Sequence, residues 1–430
     1  MRLLISGGAS GGHVTAALAV AAAFRAIHPD GDVLLVGRRG RIEERLVPAA
    51  GFPLKTIHVR GWDREARWKN AGLPAILPWA LARGLRVVDQ FRPDVALGVG
   101  AHAMVPCLLA ARLRGVPYVL QVSEPSGLAN RMLRSGAAAA CVSFASDVGA
   151  FRTPRTVPTG YPVRDGFVRR EPRVPPRRLL VMGGSLGARR INEAVWNALD
   201  WLLGRFEEVV HLTGAHGRRR GEELARPGYL PISQAADVAG LLARSDLVVA
   251  RAGLGTCAEL LAVGLPAILV PGRFGSGHQD HNAVRLERAG CAVRVPDAEL
   301  DGGRLRSVIE ALTPDDLRAM AGAAASMARP DAAREIVRVL DEVVSEARSR
   351  AGEGAVGEAV RESESLQLGT DFGDELSPEV GRPGEGGVSG LTGGDGIATL
   401  ERPLGLEQRE TGEMVEVLVG ASHLLGAVEE

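Results

Sequence analysis

The stretch Arg2-Leu3-Leu4-Ile5-Ser6-Gly7-Gly8-Ala9-Ser10-Gly11-Gly12-His13 decides the fold. A short apolar run stops at glycine, and the apolar segment from Val14 to Ala26 then carries a helical pattern. Strand, glycine loop and helix make the opening of a βα unit. Glycines let backbone approach a ligand closely, and the N–H groups at a helix start favour an anion. Dinucleotide spacing is absent: Gly-x-Gly-x-x-Gly from Gly7 needs glycine where Ala9 stands, and the second strand ends Gly37-Arg38-Arg39 with no carboxylate for a ribose. The P-loop is excluded too, because His13-Val14 follow Gly12 where Lys and Ser/Thr are required. The loop reads as a cradle for a phosphate-like group; a tight turn without a ligand is the alternative.

Working outward, short apolar runs alternate with longer amphipathic ones through residue 345, the signature of a parallel sheet built from βα units. Strands are expected at Arg2–Ser6, Val33–Val36, Asp94–Leu97, Tyr118–Val122 and Ala139–Val142, and again at Leu179–Met182, Val209–Leu212, Leu247–Val249, Ala267–Val270 and Ala292–Val295. Between the two sets lies a basic stretch with Pro154, Pro158, Pro162, Pro172, Pro175 and Pro176. The spacing predicts an α/β protein of two Rossmann-like domains, 1–157 and 178–345, joined by a Pro-rich linker, 158–177. A cleft is expected between the C-terminal edges of their sheets.

Composition narrows the class. The 51 Lys+Arg and 51 Asp+Glu cancel over 430 residues, which argues against a nucleic-acid binder, but the balance is uneven. Residues 346–430 hold 18 acidic and 6 basic side chains and residues 1–345 hold 33 and 45, so the two parts carry −12 and +12. The acidic part is rich in glycine and poor in apolar groups, and is expected to be a disordered tail. Apolar runs such as Ala16–Phe24 are too short to span a bilayer. No secretory signal is read at the start, and Cys107, Cys141, Cys257 and Cys291 are spaced for neither zinc nor a disulfide framework, so a reducing compartment is expected.

The second half repeats the glycine device. Gly183-Gly184-Ser185-Leu186-Gly187-Ala188 follows a strand and opens a helix, and so does Arg251-Ala252-Gly253-Leu254-Gly255-Thr256-Cys257-Ala258-Glu259. Glu259 falls about one turn into its helix, where it suits either the helix dipole or a pair of ribose hydroxyls. His278-Gln279-Asp280-His281-Asn282 is read as a polar, sugar-binding loop rather than a metal site, because no third ligand is near.

Together and in this order, these motifs resemble the MurG family of bacterial N-acetylglucosaminyltransferases. The matching stretches are Gly11-Gly12-His13-Val14, Gly160-Tyr161-Pro162-Val163-Arg164, Gly183 to Arg189, Arg251 to Glu259, Gly264-Leu265-Pro266-Ala267 and Gln279 to Asn282. The resemblance covers residues 2 to about 340. It implies the GT-B fold and inverting transfer of N-acetylglucosamine from its UDP donor to the 4-hydroxyl of the muramyl sugar of undecaprenyl-linked lipid I. Ser185 and Arg164 would meet the diphosphate, Leu254, Gly255 and Thr256 the phosphate and sugar, Glu259 the ribose, and His278 and Gln279 the sugar hydroxyls. The uracil would sit near Ala235–Val238. Ser10, Gly11, Gly12 and Ser123 would touch the donor sugar in a closed cleft, and Gly98, Gly100 and His102 would face the acceptor. The implied reaction needs neither metal nor cofactor. The implied setting is the cytoplasmic face of an anionic cell membrane, bound peripherally and alongside cell-wall synthesis or division proteins.

His13 is the candidate base, since an imidazole beside the anion loop can act at neutral pH; Glu124 is the second candidate. Two stretches depart from the family. Leu120-Gln121-Val122-Ser123 stands where it has His-Glu-Gln-Asn, and Gly98-Val99-Gly100-Ala101-His102-Ala103-Met104 where it has G-x-G-G-Y-x-S. Both lie on the acceptor side. A related transferase with another acceptor and a weakly catalytic nucleotide-sugar binder are therefore alternatives. For the membrane, Trp62–Val88 offers Trp62, Trp68, Leu73, Ile76, Leu77, Trp79 and Leu81 among Arg64, Arg67, Lys69, Arg83 and Arg86.

Overall fold

Strands buried on both faces read as unbroken apolar runs, and the first of these becomes an interior strand of the first sheet. In a computed structural model, which describes residues 1–8, 11–59, 73–124, 127–151, 153–272 and 277–370, the chain begins β1 (Arg2–Ser6), α1 (Gly11–Ile27), β2 (Asp32–Arg38), α2 (Glu43–Ala49) and β3 (Leu54–Ile57). It continues α3 (Leu73–Phe91), β4 (Val95–Gly98), α4 (Met104–Leu113), β5 (Tyr118–Val122), α5 (Leu128–Leu133), β6 (Ala139–Val142) and β7 (Thr156–Val157). The second half runs β8 (Arg178–Met182), α6 (Arg189–Asn197), α7 (Leu199–Arg205), β9 (Glu208–Leu212), α8 (Gly214–Glu223), β10 (Tyr229–Ile232), α9 (Val238–Arg244) and β11 (Leu247–Ala250). It closes with α10 (Leu254–Val263), β12 (Ala267–Leu269), α11 (His278–Arg288), β13 (Ala292–Arg294), α12 (Gly302–Ala311), α13 (Pro314–Met327) and α14 (Ala332–Thr370). Among the described residues, no helix is long and apolar enough to cross a membrane.

The strands pair in parallel as two sheets, β3-β2-β1-β4-β5-β6-β7 and β10-β9-β8-β11-β12-β13. All ten expected strands are present. The three additional ones, β3, β7 and β10, each close an edge. Leu54-Lys55-Thr56-Ile57 of β3 has mixed polarity, β7 is two residues long, and Pro231 interrupts the apolar β10, so none stands out as a strand pattern. Side chains alternate between faces: Leu3 and Ile5 enter one core and Leu4 the other, just as Leu179 and Val181 separate from Leu180 and Met182.

One carboxylate ties the Pro-rich linker to the second sheet. Asp246, 2% exposed at the entry to β11, accepts the Arg173, Arg177 and Arg178 backbone N–H groups at 3.1, 3.0 and 3.0 Å. The Arg170 guanidinium adds a bond of 2.6 Å. A second contact crosses between the sheets' domains. After β6, buried Asp147 meets the Arg285 guanidinium of α11 at both oxygens, and that guanidinium lies 4.7 Å from the Phe144 ring centroid. Phe144 itself packs on the second domain's core.

Two expectations need correction. Residues 332–345, expected in the second domain, join the first: Ile336, Val337, Val339, Leu340, Val343 and Val344 of α14 lie in the first domain's core beside Leu3, Ile5 and Phe24. Arg155 pairs with Glu342, and His28 Nε2 lies 2.8 Å from Asp341 Oδ1, which fixes the helix there. The tail was expected to lack structure from residue 346, but α14 runs on to Thr370. Residues 371–430 lie outside the described part, as do Trp62, Arg64, Arg67, Trp68 and Lys69 of the expected membrane segment.

The turn between β4 and α4 carries an unusual strain. Gly100 has φ +99° and Ala101 has φ +63°, a left-handed conformation that costs a non-glycine residue roughly 1–2 kcal/mol. Replacing it with glycine also frees the unfolded chain, at a cost of about 0.4–1 kcal/mol. Ala101→Gly is therefore expected to raise stability by up to about 1 kcal/mol in chemical denaturation. A loss of stability would contradict the strain.

Candidate functional site

Each sheet reverses its strand order between its first and fourth strands in chain order, and ligands of open α/β sheets lie beyond the strand ends at such points. The glycine loops after β1, β4, β8 and β11 all end there. α1 starts at Gly11 rather than near Val14, so Gly11, Gly12 and His13 form its first turn. Ser10 lies outside the described residues. Facing this turn is the start of α10. Tyr161 bridges them: its hydroxyl donates to the Gly12 carbonyl at 2.8 Å. A Cβ on Gly255 would sit 3.7 Å from the Tyr161 ring and 3.9 Å from Gly12 Cα. Burial, reinforced by the Glu259 carboxylate, pushes the Tyr161 phenol up and keeps it an O–H donor.

His13 projects from this turn. One ring N–H donates to the Gly8 carbonyl, and the Nε2–Cδ2 edge faces Gly100 so closely that a Cβ there would come within 2.7 Å. Burial lowers the imidazole pKa below its ordinary 6.5; His278 adds to this, while the Gly8 bond and the Glu43 and Glu124 carboxylates oppose it. The ring is therefore neutral at pH 7. His278 Nδ1 lies 3.9 Å from Glu124 Oε2. The two candidate bases and a donor-side histidine thus converge on one place, from three elements far apart in sequence.

The remaining donor-side residues line the second domain's half. Ser185 is exposed in its loop, and Leu254, Gly255 and Thr256 are half-buried in the first turn of α10. Glu259 lies one turn on; burial pushes its pKa up to about 7, against the pull of the exposed Arg164 guanidinium. The polar run at His278–Asn282, expected as a loop, is the first turn of α11. It lacks an apolar residue before Ala283, which hid the helix. Gln279 Oε1 accepts from Gly272 N–H at 2.8 Å and Asn282 Nδ2 donates to the Ala252 carbonyl at 3.1 Å, so the turn is docked on the α10 loop. Arg251 holds the other side through Asp297 at 2.5 Å and the Val270 carbonyl at 3.1 Å.

Not every expected residue converges. Gly98 is buried, and its missing Cβ would point at Leu108 and Met104, 2.6 and 2.9 Å away, so its smallness serves packing. Ser123 spends its hydroxyl on Gln121 Oε1 at 3.1 Å. His102 is exposed beyond the strained turn. The sequence motifs give Tyr161 no role and do not mark Glu43, a buried carboxyl bonded to Arg38 N–H at 3.3 Å. An aromatic inside Gly160-Tyr161-Pro162 was the available signal for the first; a single Glu in a helix offered none for the second. Among the described residues, no three His, Cys, Asp or Glu side chains are grouped to hold a metal ion. The arrangement suits an anion between two helix N-termini, beside a neutral imidazole.

Comparison with known proteins agrees with this geometry. The glycosyltransferase family 28 N-terminal domain matches residues 3–137 and the family 28 C-terminal domain matches residues 178–336. A UDP-N-acetylglucosamine–N-acetylmuramyl-(pentapeptide) pyrophosphoryl-undecaprenol N-acetylglucosamine transferase of Moorella thermoacetica is 37% identical over 79% of this chain and 98% of its own. The protein of the same name from Salinibacter ruber is 38% identical over 78% and 95%. Among solved structures, MurG of Acinetobacter baumannii superposes with a TM-score of 0.63 at 25% identity, covering 79% of this chain and 99% of that one. A Streptomyces glycosyltransferase complexed with thymidine diphosphate shares the fold, with a TM-score of 0.54 at 22% identity over 80% and 99%. With both domain types in order around this cleft, the chain belongs to glycosyltransferase family 28, among the MurG-type N-acetylglucosamine transferases.

Proposed function

We propose that this chain transfers N-acetylglucosamine from UDP-N-acetylglucosamine to the muramyl 4-hydroxyl of undecaprenyl-linked lipid I, inverting the anomeric carbon. The observation that carries the reading is the meeting of the α1 and α10 N-termini around Tyr161, with His13 on one side and Glu259 on the other. The residues act as follows in this reading. His13 takes the hydroxyl proton on the ring nitrogen that is not bonded to Gly8. The acceptor oxygen forms a bond to C1 as the bond from C1 to the diphosphate oxygen breaks. The departing UDP is met by the N–H groups of α10's first turn, by Ser185 and by Arg164. Glu259 accepts from the ribose hydroxyls, and His278 and Gln279 orient the sugar.

His13→Ala is expected to reduce kcat by about 10²-fold or more with lipid I analogue and donor, leaving UDP affinity intact. A small loss there, beside a larger one for Glu124→Gln, would transfer the base role to Glu124. Absence of any transfer to lipid I, with transfer to another acceptor, would replace the substrate assignment.

Glu259 gives a pH signature. Its raised pKa leaves much of it protonated below about pH 7, while two hydroxyl donors bind best to the ionised form. Donor binding should therefore strengthen as pH rises from 6 to 8 and release a proton. Glu259→Gln should flatten that slope, and Glu259→Ala should weaken UDP-N-acetylglucosamine by roughly 10- to 100-fold. Calorimetry in buffers of different ionisation enthalpy reads both; an unchanged slope in Glu259→Gln would reject the ribose role.

The acceptor lies at a membrane surface, and α3 supplies a surface for it. Trp79 is 48% exposed, with the Arg83 guanidinium 4.9 Å from its ring centroid, and Ile76 and Leu77 are half-buried beside it. Aromatic and aliphatic groups beside cations suit the headgroup level of an anionic leaflet, which supports the reading of a peripheral protein on the cytoplasmic face. Binding to anionic vesicles should fall with salt and with Trp79→Ala or Ile76→Glu. It should rise when the acidic residues 371–430 are removed. Vesicle sedimentation that detects no binding at low salt, with or without those residues, would reject this surface.

A further inference from the structure

Behind the Ser185 loop, the second domain buries polar side chains that the reaction does not use. His211 in β9 has no exposed surface, and both its ring nitrogens are bonded: Nδ1 to the Tyr229 hydroxyl at 3.0 Å and Nε2 to Asn192 Oδ1 at 3.0 Å. The Trp196 indole N–H donates to the same Tyr229 oxygen at 3.0 Å, and Asn192 Nδ2 donates to the Thr213 carbonyl at 2.9 Å. The donors fix a direction. An indole N–H can only donate, so Tyr229 accepts there and turns its own proton to His211 Nδ1. Asn192 gives its amide hydrogens to a carbonyl, so its oxygen requires a proton on His211 Nε2. Both ends demand the same neutral tautomer, and burial agrees, pushing the imidazole down to about 3.

The chain ends where the loop is held. A Cβ on Gly187 would overlap the Thr213 carbonyl, and one on Gly214 would overlap the Gly187 backbone, so these two turns touch through main chain alone. The first amides of α8 continue the grip: Ala215 N–H donates to the Ser185 carbonyl at 3.2 Å and His216 N–H to the Leu186 carbonyl at 3.1 Å. The Ser185 side chain is left exposed on the other side.

We propose that Trp196, Tyr229, His211 and Asn192 form a one-directional hydrogen-bond chain that positions the Gly183–Gly187 loop for the donor diphosphate, with His211 as a positioning residue. The inference rests on the donor-site reading above. Tyr229→Phe keeps the packing and cuts the chain at its centre. UDP affinity measured by calorimetry should fall about five-fold or more, with the acceptor KM unchanged. Ser185→Ala should also weaken UDP, and the double variant should lose less than the product of the two, because both act through one loop. Nitrogen NMR should find His211 in a single Nε2–H tautomer in the parent, and a mixture there would overturn the one-directional chain. Should Tyr229→Phe fold poorly, Trp196→Phe removes only the first donor and should move UDP affinity in the same direction. If Ser185→Ala weakens UDP while Tyr229→Phe and Trp196→Phe do not, the positioning role is wrong and the donor site stands. If no variant alters UDP affinity, the donor-site reading falls and takes this inference with it.

Discussion

Tyr161 holds the two halves of the active cleft at one distance. Its hydroxyl ends on the Gly12 carbonyl in the first domain, while its ring lies against Gly255 in the second. A Cβ at Gly12 would meet the Tyr161 hydroxyl at 3.5 Å and one at Gly255 the Tyr161 ring at 3.7 Å, both ordinary contact distances, so the two helix starts and the positive ends of their dipoles meet across this one ring. The contact depends on a protonated phenol, which donates to the Gly12 carbonyl. Burial and the neighbouring Glu259 carboxylate secure the proton. Two further contacts between the domains, Asp147 with Arg285 and Glu124 with His278, add to the one this residue makes.

The same scarcity of space explains the polar chemistry. Glu259 and His13 sit close to low-dielectric backbone, and each is shifted toward its uncharged form for that reason first. Charge that arrives with a ligand or develops in a reaction is then met by fixed dipoles and not by water. The buried Asp246 does comparable work for the architecture. Three main-chain amides and a guanidinium converge on it, turning a Pro-rich stretch of linker into a rigid edge of the second domain.

Much of this was legible in the residues, and what was not has physical causes. Central strands announce themselves because burial on both faces demands an unbroken apolar run, whereas β3, β7 and β10 sit on edges where one side meets water. The loops after β1, β8 and β11 were readable from glycine, since few other residues tolerate such close backbone approach. The helix at His278 was hidden because its first turn points polar groups at the cleft and at neighbouring main chain instead of into a core. Gly98 looked like a ligand contact, and its neighbours show a packing reason instead. Glu43 and the chain through His211 leave no mark in a linear pattern, because their partners come from elements paired only in three dimensions.

The return of α14 to the first domain has a consequence for how the protein is made. The face of the first sheet that carries Leu3, Ile5 and Val33 is completed by Ile336, Val337, Leu340 and Val343, which follow the whole second sheet in sequence. During synthesis α1 covers part of that face through Val14, Leu18 and Phe24, and the remainder waits until the second domain has emerged. The early product is thus a half-finished layer with an apolar side that invites chaperones or aggregation. Cutting the gene between the two sheets would separate a domain from its own wall, so the two Rossmann-like halves are structural repeats without being independent folding units.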